Sequence, residues 1–130
     1  MSAARTRVIG TSTCLVVSSL ERSMAFYCDK LGFTEPAVWG EPASFGMANR
    51  DGFDIMLMQA STPDAVRPNG GNGVWDLYLR VQDARDELET LKASGVAIDA
   101  DLSETEYDML EFEVLDPDGY RIGIGSELIA

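Results

Sequence analysis

The sequence predicts an α+β domain made of two tandem βαβββ modules, whose strands form a curved, incompletely closed barrel-like sheet with the helices on the outside. Three observations support this fold class. A β-like run is followed by a segment of helical period twice in the chain, and each such segment ends at a glycine. The second half repeats the apolar and glycine positions of the first. A stretch rich in Pro, Gly and Asn separates the two halves near the middle of the chain.

The first module begins with a β-branched run at residues 8–18, which predicts a strand. Ser18 and Glu21 have the spacing of a capping box, so a helix is predicted to start there and to end at Gly32. Three further strands are expected at residues 33–39, 43–49 and 53–60. The helix places four apolar residues on one face, namely Leu20, Met24, Tyr27 and Leu31.

Residues 60–73, ASTPDAVRPNGGNG, show no period and predict a mobile linker. Beyond the linker, residues 74–82 alternate as a strand does. Asp83 can cap a second helix that ends at Gly95, and residues 96–102 are the next strand. The alternation puts Trp75, Leu77, Leu79 and Val81 on the helix side of the sheet and Asp76, Tyr78 and Arg80 on the opposite side.

The last two strands are joined by Asp116-Pro117-Asp118-Gly119, a sequence typical of a three-residue hairpin loop that pairs Asp116 with Tyr120. The turn at residues 49–52 is expected to have the same chemistry. Because the loop fixes the register, the core face and the opposite face of this hairpin are both predicted. The core face carries Phe112, Val114, Ile122 and Ile124, and the opposite face carries Glu111, Glu113, Leu115, Arg121 and Gly123.

The two halves correspond through a nearly constant offset, which is the mark of a duplicated unit. We therefore predict one domain over residues 1–130, with module one at about 6–60, a linker at 61–73 and module two at about 74–130. Corresponding pairs are 64 residues apart for Leu20 and Ala84, Met24 and Leu88, and Tyr27 and Leu91; 63 apart for Gly32 and Gly95; and 67 apart for Gly52 and Gly119.

Composition excludes several classes of function. The net charge of −12 repels nucleic acid and anionic membrane surfaces, so neither is an expected partner. The chain has no histidine, which removes imidazole-based catalysis and the commonest metal ligand. No apolar run reaches the length of a membrane span and no secretory signal is evident, so we expect a cytoplasmic protein. Cys14 and Cys28 are predicted to be free, buried thiols.

Two motifs carry a resemblance to a known family. The first is V-x-x-L-E-R-S-x-x-F-Y-x-x-x-L-G-F at residues 17–33, and the second is E-F-E-V-x-D-P-D-G-Y-R-I at residues 111–122. Together they resemble the vicinal oxygen chelate superfamily of glyoxalase I, extradiol dioxygenases and bleomycin resistance proteins, and its metal-free, bleomycin-resistance-like branch. The resemblance implies a ligand cavity on the concave sheet faces, a homodimer and, in enzymatic members, a divalent metal held by four strands.

The four metal positions implied by the resemblance fall on Ser12, Met56, Asp76 and Gly123. Only Asp76 is a good ligand, and a hard divalent cation needs several oxygen or nitrogen donors. The sequence therefore predicts no metal and no other cofactor.

The predicted partner is a small molecule held in a cavity shared by both modules. Apolar and sulfur-bearing side chains beside a few charges are typical of such a site. The candidate ligand-binding residues are Ser12, Cys14, Trp39, Phe45, Met56, Met58, Asp76, Tyr78, Arg80, Tyr107, Met109, Glu111, Glu113 and Arg121.

Three functions remain open from the sequence. The leading interpretation is a metal-independent protein that binds or sequesters a hydrophobic or cationic compound, such as an antibiotic. The alternative is a metal-independent lyase or isomerase, with Asp76 or Glu113 as general base and Tyr78 or Arg121 stabilising negative charge. The third is a vestigial cleft in a protein that acts through a partner. The plain alternative for the same face is a solvated sheet surface whose charges pair with one another.

Overall fold

Two four-stranded mixed sheets carry the fold in the computed structural model, which describes residues 4–69 and 74–128. The strands and helices are β1 Ser12–Val17, α1 Leu20–Ala25 with a π-helical continuation Phe26–Lys30, β2 Thr34–Trp39, β3 Phe45–Arg50, β4 Phe53–Gln59, β5 Leu77–Arg80, α2 Ala84–Ala93, β6 Ile98–Glu104, β7 Met109–Leu115 and β8 Arg121–Glu127. The sheet orders are β1-β4-β3-β2 and β5-β8-β7-β6. The same βαβββ order thus occurs twice, and the predicted α+β fold class is confirmed.

Both helices begin at a capped end, but the first cap lies one residue later than predicted. The Ser19 hydroxyl accepts from the Arg22 backbone N–H at 3.2 Å, so Ser19 and not Ser18 is the N-cap. Ser18 instead bonds through its hydroxyl and its backbone N–H to Asp118, in the other module. The second cap is as predicted, since Asp83 accepts from the Asp86 N–H at 3.1 Å.

The first strand is shorter than predicted because a strand needs a partner along its length. β1 pairs in parallel with β4, and Ser12 faces Asp54 near the beginning of that strand. Residues 8–11 precede this ladder and remain outside any strand, with Val8 80% and Ile9 96% exposed. A β-branched sequence alone is therefore insufficient to extend β1 to Val8.

The two hairpin turns differ, contrary to the prediction that they share one chemistry. Leu115 faces Arg121 across the second turn, and the Asp116 N–H donates to the Tyr120 carbonyl at 3.0 Å, as the three-residue loop requires. The first turn is a two-residue loop, Asp51-Gly52, with φ values of 54° and 93°. Positive φ at both positions indicates a type I′ turn.

Part of the linker has regular structure, which its composition did not predict. A 3₁₀ turn spans Pro63–Ala65. The Asn69 backbone N–H donates to Asp76 Oδ1 at 2.7 Å and fastens the end of this stretch to the second module. Residues 70–73 lie outside the described residues, so the predicted mobility stays a prediction.

A single apolar core joins the helix-bearing sides of both modules. It contains all four predicted apolar residues of the first helix, each at most 7% exposed. Besides the Ser18–Asp118 contact, buried and half-buried polar contacts cross between the modules: the Tyr27 hydroxyl donates to Asp116 Oδ2 at 2.8 Å, and Arg50 makes two bonds to Glu87 at 2.8 and 2.9 Å. In the described part of the chain, no helix combines the length and apolarity that crossing a bilayer requires.

Candidate functional site

The face of the second sheet that lies opposite the core forms a cavity of about 620 Å³. Its floor comes from β5, β7 and β8, and one wall comes from the segment that precedes β7. Aromatic, aliphatic and charged side chains all contribute. The lining consists of Trp75, Tyr78, Arg80, Tyr107, Asp108, Met109, Glu111, Glu127 and Leu128.

Two glycines on β8 create the space that the aromatic side chains occupy. A Cβ atom on Gly123 would lie 2.6 to 2.7 Å from three atoms of the Trp75 ring, and one on Gly125 would overlap the Tyr78 hydroxyl. Three nearly equal distances mean that the Trp75 ring lies flat on the sheet, so its other face is turned toward the cavity. The Trp75 and Tyr78 ring centroids are 4.7 Å apart, with their planes inclined by 53°.

One carboxylate of the cavity lining is buried. Glu111 is 8% exposed, and each of its oxygens accepts from a tyrosine hydroxyl: Oε1 from Tyr107 at 2.6 Å and Oε2 from Tyr78 at 2.7 Å. Burial, and then the bond to Glu111, raise the pKa of Tyr78 well above its ordinary value. The bond to Glu111 is the main cause that raises the pKa of Tyr107. Both phenols therefore remain donors to Glu111 at neutral pH.

A second carboxylate beside it is also engaged. Glu113 Oε1 accepts from Trp75 Nε1 at 2.9 Å, and Oε2 lies 3.5 Å from Arg121 Nε. Asp99 lies 3.7 Å from the same Arg121 atom. At the rim, Arg80 pairs with Glu127 at 3.0 Å, and both side chains are largely exposed. The predicted polar face thus holds two separate polar groups, one in which Glu113 contacts Trp75 and Arg121, and one in which Glu111 contacts the two tyrosines.

The structure reverses the predicted roles of Trp75 and Asp76. Trp75 was expected on the core side, yet it lies over Gly123 on the cavity side. Asp76 was expected to face the cavity, yet Oδ1 accepts from the Asn69 N–H and Oδ2 accepts from the Arg121 N–H at 2.8 Å. The reason is that β5 begins only at Leu77, so strand alternation does not govern the two residues before it.

The family model that matches residues 10–124 describes the Glyoxalase/Bleomycin resistance protein/Dioxygenase superfamily. The chain belongs to this superfamily. The matched span covers both modules, from just before β1 to the middle of β8, as the repeated topology requires.

Solved structures of superfamily folds align over nearly the whole chain. TnmS3, an antibiotic binding protein from Streptomyces sp. CB03234, is 22% identical with a TM-score of 0.74, and 95% of this chain and 99% of that chain are covered. A superfamily member from Sphaerobacter thermophilus DSM 20745 is 21% identical with a TM-score of 0.74, covering 93% and 98%. A glyoxalase/bleomycin resistance protein/dioxygenase from Nocardioides is 20% identical with a TM-score of 0.70, covering 96% and 87%. No curated protein matches the chain.

The positions at which the superfamily resemblance implies a metal do not suit a divalent cation in this chain. Asp76 already uses both oxygens on backbone N–H groups, and Gly123 has no donor and is covered by Trp75. Met56 offers a thioether and Ser12 one hydroxyl, neither of which is a good partner for a hard cation. Within residues 4–69 and 74–128, no group of three or more His, Cys, Asp or Glu side chains could hold a metal ion.

The candidate residues of the first module do not line this cavity, and the predicted site shared by both modules stays a prediction. Trp39 stacks on Phe45 with ring centroids 5.2 Å apart, and Trp39 and Met58 are 50% and 42% exposed. Cys14 is free but exposed, not buried as predicted, while Cys28 is free and half-buried. The first-sheet candidates that are absent from the cavity lining are Ser12, Cys14, Trp39, Phe45, Met56 and Met58.

Of the second-module candidates, Tyr78, Arg80, Tyr107, Met109 and Glu111 line the cavity. Glu113 and Arg121 do not line it: Glu113 accepts from the Trp75 ring N–H and lies beside Arg121. Sequence reasoning missed Trp75, Asp108, Glu127 and Leu128. The glycines at alternate positions 123 and 125 were the available signal for Trp75, because a missing side chain on an open sheet face leaves room for a neighbouring ring.

Proposed function

We propose that the protein binds and sequesters a small hydrophobic or cationic molecule in the cavity of its second sheet, without a metal ion. The single observation that carries this proposal is the cavity itself. Its volume of about 620 Å³ falls in the range of small-molecule sites. Aromatic rings, one methionine and a few fixed polar groups line it, which is the composition that such sites usually have.

The antibiotic-binding relative supports the choice of ligand class. TnmS3 has the same fold over nearly the full length of both chains. An antibiotic or another compound with an apolar ring system is therefore a reasonable first ligand to test. The adaptable Met109 and the flat face of Trp75 suit a ligand of that kind.

The geometry favours binding over proton transfer. A general base needs a carboxylate oxygen free to reach the substrate. Asp76 is held by two backbone N–H groups, and Glu113 is held between Trp75 and Arg121. The Tyr78 hydroxyl donates to Glu111, so the proposed stabiliser of negative charge is also engaged. The lyase or isomerase alternative therefore receives no support from the contacts around these groups.

We also propose that the functional unit is a homodimer. The first sheet exposes an apolar face that includes Trp39, Phe45 and Met58, and a contiguous patch of this kind often marks an interface. Sedimentation equilibrium tests this part separately, and a monomer at all concentrations would contradict it.

Thermal-shift measurements with a panel of antibiotics and organic cations test the binding proposal. Ligands are expected to raise the melting temperature equally with EDTA and with added divalent metals. Trp75→Leu should abolish the shift, whereas Phe53→Leu, which changes an exposed aromatic residue outside the cavity lining, should keep it. Stabilisation that requires a divalent metal, or that survives Trp75→Leu unchanged, would contradict the proposal.

A further inference from the structure

We propose that the cavity of the second sheet selects a methylated ammonium group, tertiary or quaternary, over both a primary ammonium and a neutral group of the same shape. This inference rests on the proposed function, because it names the ligand class of the same cavity. Three features of the lining carry it: the balance of charge, the placement of the aromatic rings, and the hydrogen bonds that Glu111 already accepts.

The lining carries more negative than positive charge. Asp108, Glu111 and Glu127 contribute carboxylates, and Arg80 is the one cation among the lining residues. Arg80 is paired with Glu127 at the exposed rim. Asp108 and Glu111 therefore keep an uncompensated charge within the lining, and Glu111 is the buried one of the two. A neutral ligand gains nothing from this potential, whereas a cation does.

Aromatic rings surround the same carboxylate. Trp75 and Tyr78 form a corner with ring centroids 4.7 Å apart, and Tyr107 reaches Glu111 from the other side. A cation within about 6 Å of such ring faces is attracted by their quadrupoles, and quaternary ammonium ligands are the usual beneficiaries of this arrangement. Gly123 lies under the Trp75 ring, which keeps the other face of that ring directed into the cavity.

The existing hydrogen bonds distinguish a methylated from a primary ammonium. Each oxygen of Glu111 already accepts from a tyrosine, and Glu113 accepts from Trp75. A primary ammonium has three N–H donors, each of which loses its bond to water on entry and needs a new acceptor. A quaternary nitrogen has none, so it receives the electrostatic attraction without that cost.

Nuclear magnetic resonance of the indole N–H signals tests the inference directly. The chain has two tryptophans, so the Trp75 signal is identified by its persistence in Trp39→Phe. Three small probes are compared: choline, its neutral carbon isostere 3,3-dimethyl-1-butanol, and ethanolamine. Choline should shift the Trp75 signal saturably and bind about tenfold more tightly than either of the others. Raising the salt concentration from about 0.05 to about 0.5 M should weaken choline binding and leave the neutral isostere unaffected.

A matched pair of variants tests whether the preference for choline comes from the Glu111 charge. Glu111→Gln should reduce choline affinity about tenfold while leaving the neutral isostere unchanged. Glu89→Gln removes the same charge from an exposed position on α2 and should leave both unchanged. The salt experiment on the unmodified protein gives the same information if Glu111→Gln does not fold.

The outcomes separate this inference from the proposed function. Equal binding of choline and its neutral isostere would overturn the ammonium preference while leaving a small-molecule site in place. Ethanolamine binding as tightly as choline would show that free acceptors are available, which also overturns it. If none of the three probes moves the Trp75 signal while a larger compound still stabilises the protein through Trp75, the inference alone fails. If no compound acts through Trp75, both proposals fail.

Discussion

The contact between Tyr27 and Asp116 fastens the second hairpin onto the first helix, and its removal gives the sharpest test of how the modules are joined. Asp116 is 5% exposed and accepts three hydrogen bonds, from the Tyr27 hydroxyl and from the backbone N–H groups of Asp118 and Tyr120, at 2.8 to 2.9 Å. Asp116→Ala would leave at least two buried donors without a partner, those of Tyr27 and Tyr120. Each unsatisfied buried donor costs about 1–3 kcal/mol, so we expect a loss of about 2–4 kcal/mol after the relief of a buried charge is included.

The isosteric variant Asp116→Asn is the matched control. Its amide oxygen can accept from the two backbone N–H groups, and its amide nitrogen can donate to the Tyr27 oxygen. The Tyr27 O–H still loses its acceptor, but both backbone N–H groups keep theirs, so we expect a smaller loss of about 1–2 kcal/mol. Urea unfolding followed by circular dichroism measures both variants. In a double-mutant cycle with Tyr27→Phe, the Asp116→Ala change should show a coupling of about 1.5–3 kcal/mol, as for other bonds to charged groups.

The comparison of the wild type with Asp116→Asn also predicts how stability depends on pH. Burial is the main cause that raises the pKa of Asp116 above its ordinary value. The folded state then binds this proton more readily than the unfolded state does, so this group's contribution to stability falls as pH rises from the unfolded pKa to the folded pKa, and stays constant above it. The stability difference between the wild type and Asp116→Asn should follow that curve.

A loss below about 0.5 kcal/mol in Asp116→Ala, or a coupling near zero between Tyr27 and Asp116, would refute the account of this contact.

Two further predictions concern the cavity floor and the Arg50–Glu87 contact between the modules. Gly125→Ala should push the Tyr78 hydroxyl off Glu111 and into the cavity, which costs about 1 kcal/mol of stability and abolishes ligand-induced stabilisation. The control is Gly10→Ala, which has open space around the added methyl group and should change neither property in the same thermal-shift assay. Arg50→Ala should cost about 1–3 kcal/mol in urea unfolding, because it removes a half-buried bidentate pair with Glu87; unchanged stability would mean that this pair contributes nothing to joining the modules.

Much of the second hairpin could be predicted from sequence because its residues lie within a continuous hydrogen-bonded ladder. The turn fixed the register, and the observed pairs of Phe112 with Ile124 and Val114 with Ile122 are those that the loop length requires. The same register places Glu111 and Glu113 on the open face. The second helix was predictable for an equally local reason, since its cap and its apolar period lie within a few residues of one another.

The residues that sequence reasoning misplaced lie at the ends of ladders. The side-chain directions of Trp75 and Asp76 depend on Gly123 and on the Arg121 N–H, which are more than forty residues away. No local pattern encodes such a contact. The same limit applies to Ser18, whose local spacing suggested a helix cap but whose hydroxyl bonds to Asp118 across the module boundary.

Period, turn chemistry and internal repetition are local properties of a chain, and they were sufficient to predict the duplicated βαβββ plan, the core faces of the strands and the carboxylates on an open sheet face. Tertiary contacts set the cavity on the open face of the second sheet, the placement of Trp75 rather than Asp76 toward it, and the tyrosine bonds to Glu111. Those outcomes depend on which distant backbone groups and side chains meet when the two modules pack around one core.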